Sequence, residues 1–164
     1  MAMNMSDASS TKTAPRYHHT QPGSVTGTAL AAGAAITYLS FQAEYGTVGA
    51  GGLLMTGAFV VGAVLFSSLT VTIDAEALRF SFGPGFWARR IPLRDIQAVE
   101  PVRNPVWYGW GIRYTTRGWL YNVSGLDAVE LTVRGEGRPR VGTDEPERLA
   151  QALREATDAT PPSA

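Results

Sequence analysis

Two runs of chain without a single charge dominate this sequence, Pro22 to Ala43 and Tyr45 to Ile73, parted only by Glu44. About fifty nearly uncharged residues are rare in a water-soluble domain, whose surface helices need a polar face. Roughly 20 residues at 1.5 Å rise cross a hydrocarbon core of about 30 Å, so the second run qualifies alone as a transmembrane helix and the first only if it is extended or helped by neighbours. The first spans about 25–41 and is rich in Ala, Gly and Thr. The second spans about 48–68 and is more apolar, with Leu53-Leu54-Met55 and Phe59-Val60-Val61 at its centre. Together they predict a hairpin over 24–68. Lys12 and Arg16 precede it, Arg79, Arg89, Arg90 and Arg94 follow it, and the turn Gln42–Thr47 holds no basic residue. The positive-inside rule then places both termini in the cytoplasm, with Glu44 outside.

Charge is balanced, 14 Lys+Arg against 14 Asp+Glu, and twelve of each sign fall in residues 74–158. A neutral domain is a poor ligand for a phosphate backbone, so no nucleic-acid partner is expected. The absence of Cys removes disulfides, thiolate metal sites and Cys nucleophiles. Both histidines, His18 and His19, fall in a polar stretch over 1–23 that shows no apolar period and reads as a flexible tail. No metal, cofactor or catalytic residue is therefore expected, and the chain does not read as an enzyme.

Beyond the hairpin the period changes to two. Leu69–Ile73, Leu78–Phe82, Phe86–Ile91, Ile96–Val102, Gly111–Thr115, Trp119–Val123, Ala128–Val133 and Arg138–Val141 read as short strands separated by Gly- or Asp-bearing turns. Asp144 is placed to cap a closing helix with Pro146 in its first turn, and Leu149, Ala152, Leu153 and Ala156 recur at helical spacing. A soluble domain over 69–157 follows, with 158–164 a disordered tail. The expectation is an α+β membrane protein: a two-helix transmembrane hairpin, then a small antiparallel β-sandwich or barrel closed by a C-terminal helix.

That order of elements resembles a pleckstrin-homology (PH) domain. Closer still, Arg90-Ile91-Pro92-Leu93-Arg94-Asp95-Ile96, Tyr108-Gly109-Trp110-Gly111-Ile112-Arg113, Tyr121-Asn122-Val123-Ser124-Gly125 and Gly142-Thr143-Asp144-Glu145-Pro146 resemble bacterial membrane proteins that carry a PH-like domain behind a transmembrane hairpin. The likeness covers about residues 25–156 and implies a fold without a shared catalytic activity.

Three sets of residues are candidates for interaction. Gly27, Ala31 and Ala35 fall at four-residue spacing, as do Ala29, Gly33 and Thr37, and Ala58 with Gly62; such rows let helices approach closely in lipid. They serve either the hairpin's own packing or a partner helix. Arg103, Trp107, Tyr108, Trp110, Arg113 and Arg117 form an Arg-aromatic stretch, either a rim at headgroup depth or core packing with solvated Arg. Arg89, Arg90 and Arg94 form either an anionic-headgroup site or a solvated face. Membrane lipids and other integral membrane proteins are thus the expected partners. Two roles remain open: an accessory subunit bracing a larger membrane complex, respiratory or photosynthetic among the possibilities, and an adaptor that binds anionic lipid or a signalling partner.

Overall fold

A computed structural model describes residues 15–158. Among them the chain forms nine strands and three α-helices in an α+β arrangement. The expected tails at 1–14 and 159–164 lie outside the described residues.

Strand β1 (Tyr17–Pro22) runs into helix α1 (Ser24–Tyr45), and helix α2 (Ala50–Leu65) returns to strand β2 (Ser68–Ile73). Strands β3 (Ala77–Phe82) and β4 (Trp87–Pro92) complete an antiparallel sheet in the order β1-β2-β3-β4. The existence of β1 corrects the reading of residues 17–22 as tail. Its partner lies across the whole hairpin, with Tyr17 opposite Ile73 and Pro22 opposite Ser68. Its inward side chains are Tyr17 and Gln21, too polar a pair to mark a buried face by composition.

The helices differ from their expected bounds in opposite directions. Helix α1 is longer, reaching Tyr45 and stopping at Gly46, whose left-handed φ of 68° lets its N–H close on the Gln42 carbonyl. Helix α2 is shorter, because residues from Ser68 onward pair with β1 and β3 and cannot also be helical. At 1.5 Å per residue, α1 is about 33 Å long and α2 about 24 Å.

The second sheet holds β5 (Ile96–Arg103), β6 (Gly111–Thr115), β7 (Gly118–Asn122), β8 (Asp127–Val133) and β9 (Arg140–Gly142), ordered β5-β8-β9-β7-β6. The expected last strand, Arg138–Val141, begins later, after Pro139, which has no N–H to give a ladder. Strand β9 lies parallel to β7 and antiparallel to β8, so the sheet is not a simple meander. The two sheets do not join into a closed barrel. Their inner faces meet through Leu69, Val71, Ile73, Phe80, Ile91, Tyr121, Val129 and Leu131, all nearly inaccessible to solvent. Helix α3 (Pro146–Asp158) covers this core with Leu149, Leu153 and Ala156. Burial of one such Leu or Phe contributes roughly 1.5–3 kcal/mol. Pro146 opens α3 as expected, but Asp144 does not cap it. The Asp144 carboxylate instead meets the His19 ring at 2.6 Å, while the Glu145 N–H donates to the Thr143 hydroxyl.

Since Pro22 and Ser68 are direct partners, the hairpin stands where a two-residue turn would suffice. Replacing residues 23–67 by Asn-Gly should give a folded domain that stays soluble without detergent and melts cooperatively. A product that needs detergent, or has no cooperative transition, would show that the sheets depend on the helices.

Candidate functional site

The hairpin packs along one seam. Phe59 lies over Gly33, where an added Cβ would come within 2.9 Å of its ring; Phe41 sits on Gly52 and Leu30 on Gly62. Ala34 and Gly52 are its only buried residues. The rows of small residues therefore divide. Gly33 and Gly62 belong to the seam. Ala29, Ala31, Ala35 and Ala58 are exposed, and nothing lies within 4 Å of a Cβ built at Gly27. Around them Ile36, Leu39, Leu54 and Val61 are exposed by 65%, 63%, 76% and 57%. An uncovered apolar surface of this extent marks an interaction face.

At its root the hairpin is fastened to both sheets. The Gly23 N–H donates to the Ser67 carbonyl at 2.7 Å, and a Cβ at Gly23 would stand 2.0 Å from the Phe66 carbonyl oxygen. Only glycine permits so close a crossing. The Thr26 hydroxyl donates to the Val123 carbonyl at 2.6 Å, Ser24 and Ser124 share a bond at 3.2 Å, and the Gln21 amide donates to the Ser124 carbonyl at 3.0 Å. Asn122, the acceptor position of an apparent glycosylation sequon, is fully buried, its side chain held by the backbone of Ser124 and Gly125.

The loops beside this root carry part of the Arg-aromatic stretch. Trp107 stands 81% exposed on a one-turn helix over 106–108, and the Trp110 indole N–H donates to the Gly125 carbonyl at 2.9 Å. Arg113 donates to the Trp110 carbonyl, and Arg103 lies 4.0 Å from Asp127. Two members are elsewhere. Arg117 occupies the turn between β6 and β7 at the opposite end of the sheet, and Tyr108 packs on the outer face of the second sheet against the Arg140 guanidinium, 5.9 Å from ring centroid to Cζ.

Of Arg89, Arg90 and Arg94, the first two lie on opposite faces of β4. Neighbours on a strand point to opposite faces. Arg89 sits opposite Phe80 on the inner face, where it bonds the Tyr121 hydroxyl and the Glu136 carboxylate. Arg90 lies opposite Arg79 on the outer face and donates to Glu76 at 2.8 Å, while Arg94 is in a one-turn helix beyond the strand. An aromatic ladder accompanies Arg89: Trp87 stacks on Tyr121 at 5.2 Å, Tyr121 on Trp119, and Trp119 meets Tyr114 edge-on. Burial raises the Tyr121 hydroxyl pKa despite the opposing Arg89 charge.

Sequence reasoning missed the most buried ion pair. Glu130 and Arg140 are cross-strand neighbours on the outer face of the second sheet, with bonds of 2.8 and 2.7 Å, and Arg140 also donates to the Asn104 side-chain amide oxygen Oδ1 at 2.8 Å. All three side chains are almost wholly buried. The available signal was a lone Glu within the apolar run Ala128–Val133. Glu130→Ala should cost about 3–5 kcal/mol in chemical denaturation, since it strands a buried guanidinium, whereas Glu130→Leu combined with Arg140→Met should recover most of that loss. Equal losses in the single and double variants would contradict this.

His18 and His19 do fold back onto the domain, against the tail reading, because β1 carries them. The His18 ring meets the Thr72 hydroxyl at 3.0 Å, and His19 lies between Asp144 and Glu145 at 2.6 and 3.6 Å. Among the described residues no group of three or more His, Asp or Glu is arranged to hold a metal. No protein-family model matches the chain, and no curated protein matches it.

Tyr17 belongs to the same junction. Burial, reinforced by the Glu145 carboxylate 3.5 Å away, pushes its pKa from 10.0 to about 12. An unfolded chain releases this proton first, so the Tyr17 contribution is complete below pH 10 and is lost as pH rises towards 12. Stability measured by urea titration should fall across that interval, and Tyr17→Phe should flatten the slope, leaving the part due to Tyr121. An unchanged slope in Tyr17→Phe would remove Tyr17 from the account.

Proposed function

We propose that this chain is a non-catalytic accessory subunit of a larger complex in a bacterial inner membrane. In this reading the hairpin spans the bilayer with both termini cytoplasmic, and a PH-like domain braces the partner from the cytoplasmic side. The observation that carries it is the hairpin's exposed apolar surface outside its single seam. Helix α1 is long and apolar enough to cross a membrane, and two other uses of such a helix fit less well. A soluble core helix would be covered, and this one is not. A cleaved leader would take β1 with it and strip the first sheet of a strand. The shorter α2 is flanked by uncharged residues at 46–49 and 66–67, before β2 begins at Ser68.

Several features favour a protein partner over a headgroup-binding adaptor. The basic residues suited to a headgroup are separated, and Arg89 and Arg90 are already paired with Glu136 and Glu76. Gly27, Ala31 and Ala35, by contrast, face away from α2 and are free for a second helix. The PH-like reading rests on a four-stranded sheet, a second sheet and a closing C-terminal helix; the β5-β8-β9-β7-β6 order is a departure from a consecutive meander.

Ala31→Leu with Ala35→Leu should release the chain from a large complex while leaving it in the membrane, because Leu inserts well but blocks close approach. Both positions lie outside the seam, so the hairpin itself is spared. Gentle detergent extraction and sizing of the native protein is the measurement. Co-migration with stoichiometric membrane partners, lost in the double variant, is the expected result. A lone monomer or homodimer in the unmodified protein would overturn the subunit reading in favour of the adaptor.

A further inference from the structure

The hairpin has no spacer at either end. Gly23 alone separates β1 from α1, and only Phe66 and Ser67 separate α2 from β2. A domain on a flexible linker could stand clear of a bilayer, but one whose strands continue directly from the helices cannot. The loops at that end are therefore fixed at the depth where the helices emerge.

Those loops are unlike the ones at the opposite end. The turn after β3 touches the end of α2, where a Cβ at Gly83 would lie 2.7 Å from the Val64 carbonyl oxygen, and it presents Phe86 at 71% exposure. The loop between β5 and β6 presents Trp107, anchors Trp110 beside the root of α1, and is flanked by Arg103 and Arg113. The acids at this level are Asp127, next to Arg103, and Asp144 and Glu145 just beyond β9, which engage His19. The opposite end carries Asp74, Glu76, Asp95 and Glu136 in its turns together with Arg94, Arg117, Arg134 and Arg138, so the contrast lies in the exposed Phe86 and Trp107 of the root-end loops rather than in net charge.

From this we infer that the root end of the β domain is seated on the bilayer, with Phe86 and Trp107 at headgroup depth and Arg103 and Arg113 towards lipid phosphates. The inference rests on the hairpin spanning a membrane and adds a fixed orientation of the domain. Amphipathic aromatic rings favour that depth, and each basic residue near an anionic surface adds to the attraction. The surface is continuous with the apolar hairpin, which selects lipid over a soluble partner as its occupant.

The chain has no Cys, so single-Cys variants report one position each. Phe86→Cys, Trp107→Cys, Leu54→Cys and Arg117→Cys of the full chain would be nitroxide-labelled and reconstituted in phosphatidylcholine–phosphatidylglycerol vesicles. Collision with oxygen, which partitions into lipid, is then compared with collision with a water-soluble nickel chelate. Labels at 86 and 107 should show an oxygen-to-nickel ratio several-fold above that at 117 and below that at 54. Ratios at 86 and 107 equal to that at 117, with 54 deep, would overturn the seating and leave the membrane span intact. Labels at 86 and 107 shielded from both reagents would overturn it in favour of a protein contact. A water-exposed label at 54 would remove the membrane span itself and the seating with it.

Discussion

The pairing of β1 with β2 is the constraint on which the rest of the molecule depends. It joins Pro22 to Ser68 across the hairpin, so both helices rise from neighbouring points of one sheet. Antiparallel strands about 4.8 Å apart cannot seat two helices at the usual 8–10 Å without small residues at the crossing. Gly23 meets that demand at the root, and Gly33, Gly52 and Gly62 meet it along the seam. The same pairing delivers His19 and Tyr17 to the start of α3, tying the first and last elements of the domain.

What was legible in the sequence followed from local pattern. The uncharged runs marked both helices, Leu78, Phe80 and Phe82 marked one face of β3, and Leu149 and Leu153 marked the inner face of α3. What was not legible needed contacts between distant parts of the chain. Strand β1 buries Tyr17 and Gln21, and Gln21 is acceptable inside only because the Ser124 carbonyl accepts from its amide. Nothing in residues 17–22 announces that partner. The Glu130–Arg140 pair was hidden for the same reason, since each residue looks solvent-facing until the segment after β5 lays Asn104 and Tyr108 over it.

The interaction sites show the difference between sequence proximity and shared surface. Arg89 and Arg90 are adjacent in the chain and back to back on the strand, whereas Phe86 and Trp107 are twenty-one positions apart and lie in loops at the same end. Similarly, Ala31 and Gly33 are two residues apart on α1, yet one faces outward and the other lies under Phe59. A helix turns by about 100° per residue, so small residues one or two positions apart divide between faces. Even rows at i+4 drift by about 40°, which leaves Ala29 and Ala58 exposed while Gly33 and Gly62 lie in the seam.

The long interval between β1 and β2 also bears on how the chain is made. Strand β1 leaves the ribosome first, but its partner follows only after both helices have been synthesised. Until then the ladder of β1 has nothing to bond, and its buried Tyr17 has no core to enter. A hairpin inserted with its ends on opposite sides of a bilayer would leave β1 permanently without β2. On the proposed membrane span, completing the first sheet requires both ends of the hairpin to lie on the same side of the bilayer.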